Sequence, residues 1–118
     1  MTPSDILKKT KELISDPAHW TQGSFSKNAI GEQDSTYSET AVCWCAVGAM
    51  MKVTQDLPYD EHHKAFMVLT NATPPEGHER SKQTGWGAAV SYNDDPKRTH
   101  EEVMAWFDLA IAAAEKEP

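Results

Sequence analysis

Apolar and polar positions alternate in short groups along most of this chain. The exception is Ala41–Met51, where Ala-Val-Cys-Trp-Cys-Ala-Val-Gly-Ala-Met-Met runs without a charged or amide side chain. The run is too long for a typical strand and too short to cross a bilayer, which takes ~20 residues. Glu39 and Thr40 precede it, and Lys52, Thr54 and Gln55 follow. This pattern predicts a central helix over Glu39–Gln55, apolar on every side through its middle and therefore enclosed by other elements. Gly48 costs roughly 1 kcal/mol against alanine inside a helix. Its return is a close backbone approach on a face shared with Trp44. Val42 and Trp44 also suit a buried strand over Thr40–Ala46, because periodicity does not separate the two for short apolar runs.

Around this run the pattern predicts further helices. Thr2 suits an N-cap, Pro3 the first helical position and Asp5 the first turn. Ile6, Leu7, Thr10, Leu13 and Ile14 then make one inward stripe of a helix over 3–15 that Asp16-Pro17 ends. From Ala18 to Ser38 no period holds. Trp20, Phe25 and Ile30 are the expected anchors of a long loop, with a weak strand signal at Trp20–Gly23. Asp60–Asn71 reads as a helix with His62, Phe66 and Leu69 in one row, and Asn71–Lys82 as a surface loop. Gly85–Tyr92 suits a short helix or strand. Thr99 and Glu102 stand at capping-box spacing before a last helix over 99–116, with Val103, Trp106, Phe107, Ala110, Ile111 and Ala114 inward. The expected fold is mainly α: a compact single-domain helical fold, residues 1–118, around a buried central helix, with long loops and a short strand pair at most.

Composition narrows the function classes. The chain has 118 residues and a net charge of −7, with acids and bases interspersed. Without clustered Lys and Arg, direct nucleic-acid binding and adsorption to an anionic membrane are not expected. The N-terminal stretch has no apolar h-region, which predicts a cytoplasmic protein. Cys43 and Cys45 stand too close in sequence to pair within one helix or strand, which predicts reduced thiols.

Candidate chemistry is sparse. Cys45 as a nucleophile would need a base from His19, His62, His63, His78 or His100 and an environment favouring thiolate. Its neighbours Trp44, Ala46 and Val47 instead predict a buried, neutral thiol. Cys43-x-Cys45 with Asp60–His63 lacks the spacing of a structural zinc site, so no metal and no cofactor are expected. The four tryptophans suit a core better than an aromatic box. The richest polar group is Asn93-Asp94-Asp95-Pro96-Lys97-Arg98-Thr99. Directly before a helix N-terminus it could hold a ligand, or it could brace a turn in which Arg98 pairs with Asp94.

Three stretches carry a resemblance across most of the chain: Trp20-Thr21-Gln22-Gly23, Trp44-Cys45-Ala46-Val47-Gly48-Ala49, and Asn93–Thr99 with Glu102-Val103. With them the sequence resembles a family of small uncharacterised bacterial and phage proteins. It departs from that pattern in having Tyr92 in place of a tryptophan and a long insert around Glu61–Gln83. The resemblance implies a shared fold and a shared polar patch, and brings no activity with it. The expected function is a non-enzymatic binding protein for a protein partner or small polar ligand, with Trp20, Gln22, Asn93, Asp94 and Arg98 as the binding residues and no catalytic residue. A phage-encoded inhibitor of a host defence system is one alternative. A small enzyme using Cys45 or the Asn93/Asp94/Arg98 cluster is another. A homo-oligomer is compatible with all three.

Overall fold

Thr2 opens the fold with a reciprocal cap. Its hydroxyl accepts the Asp5 N–H at 3.1 Å, and the Asp5 carboxylate accepts the Thr2 N–H at 3.4 Å. Helix α1 then spans Pro3–Leu13 and buries Ile6, Leu7 and Thr10, with Ile14 buried just past its end. The Thr10 hydroxyl donates to the Ile6 carbonyl at 2.8 Å, which lets a polar residue sit in the core. This computed structural model describes residues 1–74 and 86–116. The loop expected over Asn71–Lys82 lies, beyond Pro74, outside the described residues.

The apolar run does not form one helix. Ala41–Trp44 is a strand, β2, paired antiparallel with β1 at Ser26–Asn28, and helix α2 begins only at Ala46 and ends at Val53. The helix expected over Glu39–Gln55 is thus corrected in its first half, where the strand reading holds. The break falls at Cys45, whose backbone is extended, at φ −76° and ψ 174°. Its N–H continues the ladder to the Phe25 carbonyl at 3.1 Å, while its Sγ accepts the Gly48 N–H at 3.3 Å as the helix cap. Trp44 and Gly48 therefore share no helical face. The close approach at Gly48 is real but different in kind: a Cβ there would overlap the Phe25 carbonyl oxygen and lie 2.8 Å from its carbon.

Helices α3 (Tyr59–Asn71), α4 (Trp86–Asp94) and α5 (His100–Lys116) complete the described fold, which is a mainly α single domain with one small sheet. Helix α1 packs against α2, α3 and α5, while α4 packs against α2 and α3. Trp106 and Phe107 of α5 are fully enclosed, and the Trp106 indole donates to the Leu69 carbonyl of α3 at 3.1 Å. Val103, Ala110 and Ala114 join them inside, with Ile111 at the margin. Among the described residues no helix is long and apolar enough to cross a membrane.

Two expected loop anchors fail. Ile30 is 77% exposed and Phe25 39%, because the 26–34 segment holds itself by backbone bonds and an Asn28 turn rather than by apolar contacts. Trp20 is partly buried against the core, and its strand signal amounts to a single bridge to Trp44.

Candidate functional site

The polar cluster is built on Asn93, in the last turn of α4 and wholly buried. A primary amide offers two donors and an oxygen with two lone pairs, and here all are used. Oδ1 accepts from the Trp20 indole at 2.8 Å and from the Ala46 N–H at 3.1 Å. Nδ2 donates to the Thr21 carbonyl at 3.1 Å and to Asp94 Oδ1 at 2.9 Å. The orientation of the amide is fixed by its partners, since an indole and a backbone N–H only donate. One side chain thus joins the 20–23 segment, the start of α2 and the end of α4.

Gln22 serves the same junction. Its Nε2 donates to the carbonyls of Asn93 at 2.9 Å and Asp95 at 2.7 Å, groups that the end of a helix leaves without helical partners. Gly23, at φ +83°, turns the chain so that its N–H reaches Asp94 Oδ1 at 3.1 Å.

Arg98 is 8% exposed and is held on four sides. Its Nε donates to the Tyr92 carbonyl at 2.9 Å, and its guanidinium carbon lies 3.6 Å from the Tyr92 ring centroid. Its carboxylate partners are Asp95 at 3.7 Å and Glu102 at 3.2 Å. The expected pair with Asp94 is therefore corrected. Asp95 closes the turn, its side chain accepting the Lys97 N–H and its carbonyl the Arg98 N–H, which sets Asp95 beside Arg98. Asp94 stays helical and faces Gly23 and Asn93. Thr99 and Glu102 form the expected capping box, with Glu102 N–H to Thr99 Oγ1 at 3.1 Å and Thr99 N–H to Glu102 Oε1 at 2.9 Å. The Thr99 N–H, with the Arg98 guanidinium adding, holds the Glu102 carboxyl below the usual range.

All five expected site residues thus meet at one corner of the fold. Beside them lies a cleft of about 200 Å³ lined by Gly23, Ser24, Phe25, Gln33, Cys45, Val90 and Asp94. Of these, Asp94 was expected as a binding residue and Cys45 only as an alternative nucleophile. Gln33 and Val90 carry no sequence signal, because the β1 hairpin and α4 bring them there from separate elements.

Cys45 is 2% exposed. Burial pushes its thiol up to about 11, with the nearby Asp94 carboxylate adding to the effect. Its sulfur engages the Gly48 N–H rather than an imidazole. His100 is bonded to the Ile14 carbonyl at 2.7 Å and His62 to Thr54 at 2.9 Å, while His78 lies outside the described residues. Cys43 is also a free thiol, and among the described residues no group of three or more His, Cys, Asp or Glu side chains could hold a metal ion.

No curated protein and no solved structure matches the chain. A family model does match, over residues 1–113, and the chain belongs to that family, a family of unknown function (DUF6197).

Proposed function

We propose that the protein is a non-enzymatic binding protein that receives a small polar ligand, or one polar side chain of a protein partner, in the cleft beside Asp94. The observation that supports this reading is the division within the Asp94 carboxylate. Oδ1 takes N–H bonds from Gly23 and Asn93, while among the described residues no hydrogen bond reaches Oδ2. Gly23 and Asn93 hold this carboxylate in place, Trp20 and Gln22 hold Asn93, and Arg98 braces the turn that follows through Asp95. A group oriented before binding loses little freedom on binding. The cleft, about 200 Å³, is smaller than the ~300–1,000 Å³ of common small-molecule sites. It therefore suits one functional group rather than a large ligand. An ionised carboxylate only accepts, so the matching group carries N–H donors: an ammonium, a guanidinium or an amide. The net charge of −7 favours the cationic two during approach. Cys45, neutral at pH 7, supplies wall rather than nucleophile.

The test follows the backbone amides of Gly23, Ser24 and Gln33 by NMR during titration with butylamine, butylguanidine and propionamide. One of the three should shift them saturably. Asp94→Asn should weaken that binding about tenfold or more, the loss of one charge-assisted hydrogen bond. If none of the probes moves these amides, or Asp94→Asn binds as well as the native protein, the reading fails.

A further inference from the structure

A second cleft, of about 360 Å³, opens where the end of α2 meets the start of α3. Its volume falls within the range of small-molecule sites. Met51 and Leu57 give it an apolar surface, Tyr37 and Tyr59 line it with aromatic rings, and its other polar side chains are Gln55, the buried Thr54 and the partly buried His62. Tyr59 is 71% exposed and Tyr37 48%, an unusual outlay of ring surface for two residues around one cleft.

Two contacts bear on what His62 presents. The Thr54 hydroxyl lies 2.7 Å from the Met50 carbonyl, an ordinary O–H···O length for donation to the carbonyl four residues back. With the proton on that bond, the 2.9 Å contact between Thr54 Oγ1 and His62 Nδ1 has the ring nitrogen donating. In the neutral ring that leaves Nε2 without a proton and with a lone pair, and among the described residues no hydrogen bond reaches it. Burial holds His62 below the ordinary histidine range, with His63 adding, so the ring is neutral at pH 7. Among the described residues no Asp, Glu, Lys or Arg lines the cleft, and the neighbouring Glu61 is paired with the Met1 amino group at 3.0 Å.

We propose that this cleft binds a small neutral aromatic heterocycle carrying a ring N–H, which donates to His62 Nε2 while its faces lie against Tyr59 and the Met51–Leu57 wall. A bare acceptor nitrogen in an apolar cleft selects for a donor, and a planar apolar body suits the exposed rings. A charged ligand would find no counter-charge there. This site is independent of the Asp94 cleft.

Indole is the probe, with 1-methylindole as the same ring lacking the donor. Both are titrated into the full chain while the His62 ring and the Tyr37 and Tyr59 resonances are followed by NMR. Indole should bind saturably, and 1-methylindole about tenfold more weakly, the worth of one buried hydrogen bond. Lowering the pH until His62 protonates turns Nε2 into a donor, so indole should lose its advantage. His62→Phe keeps a ring against Phe66 and should bring the two probes together. Tyr59→Ala, at an exposed position that leaves the fold alone, should weaken both. Equal affinity of the two probes for the native protein, or no saturable shift, overturns the proposal. Tighter binding of N-acetyltryptophanamide than of indole would overturn the assignment to a free small molecule.

Discussion

Asn93 Oδ1 stands 3.1 Å from the backbone nitrogen of Ala46, so that a side chain at the end of α4 caps the start of α2 across 47 residues of sequence. A helix begins with N–H groups that have no internal partner. Here Cys45 covers one through its sulfur and Asn93 covers another. The same amide oxygen takes the Trp20 indole proton, and this shared acceptor locks the segment that carries Gly23 to the helix that carries Asp94.

Asn93→Ala should accordingly be among the most damaging changes to a residue outside the apolar core. It strands the Ala46 N–H in a buried place and the Trp20 indole and Thr21 carbonyl in partly buried ones. A buried orphan costs ~1–3 kcal/mol and a partly buried one less, and the change also empties the volume of a wholly buried side chain. A loss of at least ~3 kcal/mol is expected in urea denaturation. Asn93→Asp keeps the acceptor but sets a carboxylate against Asp94 Oδ1 and the Thr21 carbonyl. That charge should raise its pKa, so the variant should be least stable at neutral pH and recover as pH falls and the group protonates. A loss below ~1 kcal/mol for the alanine variant would show that water replaces the amide.

Gly48→Ala sets two effects against each other. Alanine gains about 1 kcal/mol of helix propensity over glycine. The new Cβ, however, would overlap the Phe25 carbonyl oxygen, the same oxygen that accepts the Cys45 N–H at 3.1 Å. A backbone carbonyl cannot swing aside as a flexible side chain can. Overpacking of this kind costs ~1–3 kcal/mol, so alanine should destabilise on balance and leucine more strongly. A melting temperature at or above that of the native protein for either variant would mean that the Phe25 backbone does not lie against Gly48.

Arg98→Ala removes the partner of a buried carboxylate. Asp95 is 7% exposed and 3.7 Å from the guanidinium, and breaking a buried pair costs ~3–5 kcal/mol. The Glu102 arm reaches solvent and adds little. Arg98→Lys keeps the charge but not the fork that also bonds the Tyr92 carbonyl, so it should fall between the two. Chemical denaturation of the three proteins gives the order. An alanine variant as stable as the native chain would move Arg98 from the frame to the list of free binding groups.

What the sequence carried was local. The caps at Thr2 and Thr99 are spelled by residues three apart, and the buried stripe of α1 repeats at helical spacing, so both helices were legible. The missed break at Cys45 was not local. Residues on both sides are apolar because both the strand and the helix are enclosed, which erases the period that would tell them apart. The groups that make the break, the Phe25 carbonyl and the Asn93 amide, come from elsewhere in the chain. The Asn93–Arg98 cluster was visible as a motif, but its pairing was not. Asp94 and Asp95 are chemically identical neighbours, and only the turn after α4 decides which one meets Arg98. The cleft itself was illegible, since Gln33, Cys45 and Val90 converge on it through three different elements.

Cys45 offers a reading of that corner in solution. Its thiol is buried and pushed up to about 11, so at neutral pH it should react with a thiol reagent far more slowly than a free cysteine, and rapidly once denaturant is added. Stability carries the same signature. The folded chain holds the thiol proton to a higher pH than the unfolded chain does, so the contribution is present below about 9 and is lost as pH rises towards 11. Two units correspond to on the order of 2–3 kcal/mol. Tyrosines and lysines titrate in the same window, so the native protein must be compared with Cys45→Ala. The variant should be less stable at pH 7, having lost a buried side chain and a cap, and its alkaline decline should be shallower. Parallel declines for the two proteins would show that the thiol ionises as freely folded as unfolded. Neutral-pH labelling faster than that of a free cysteine would place a stabilised thiolate beside Asp94 and return Cys45 to consideration as a nucleophile.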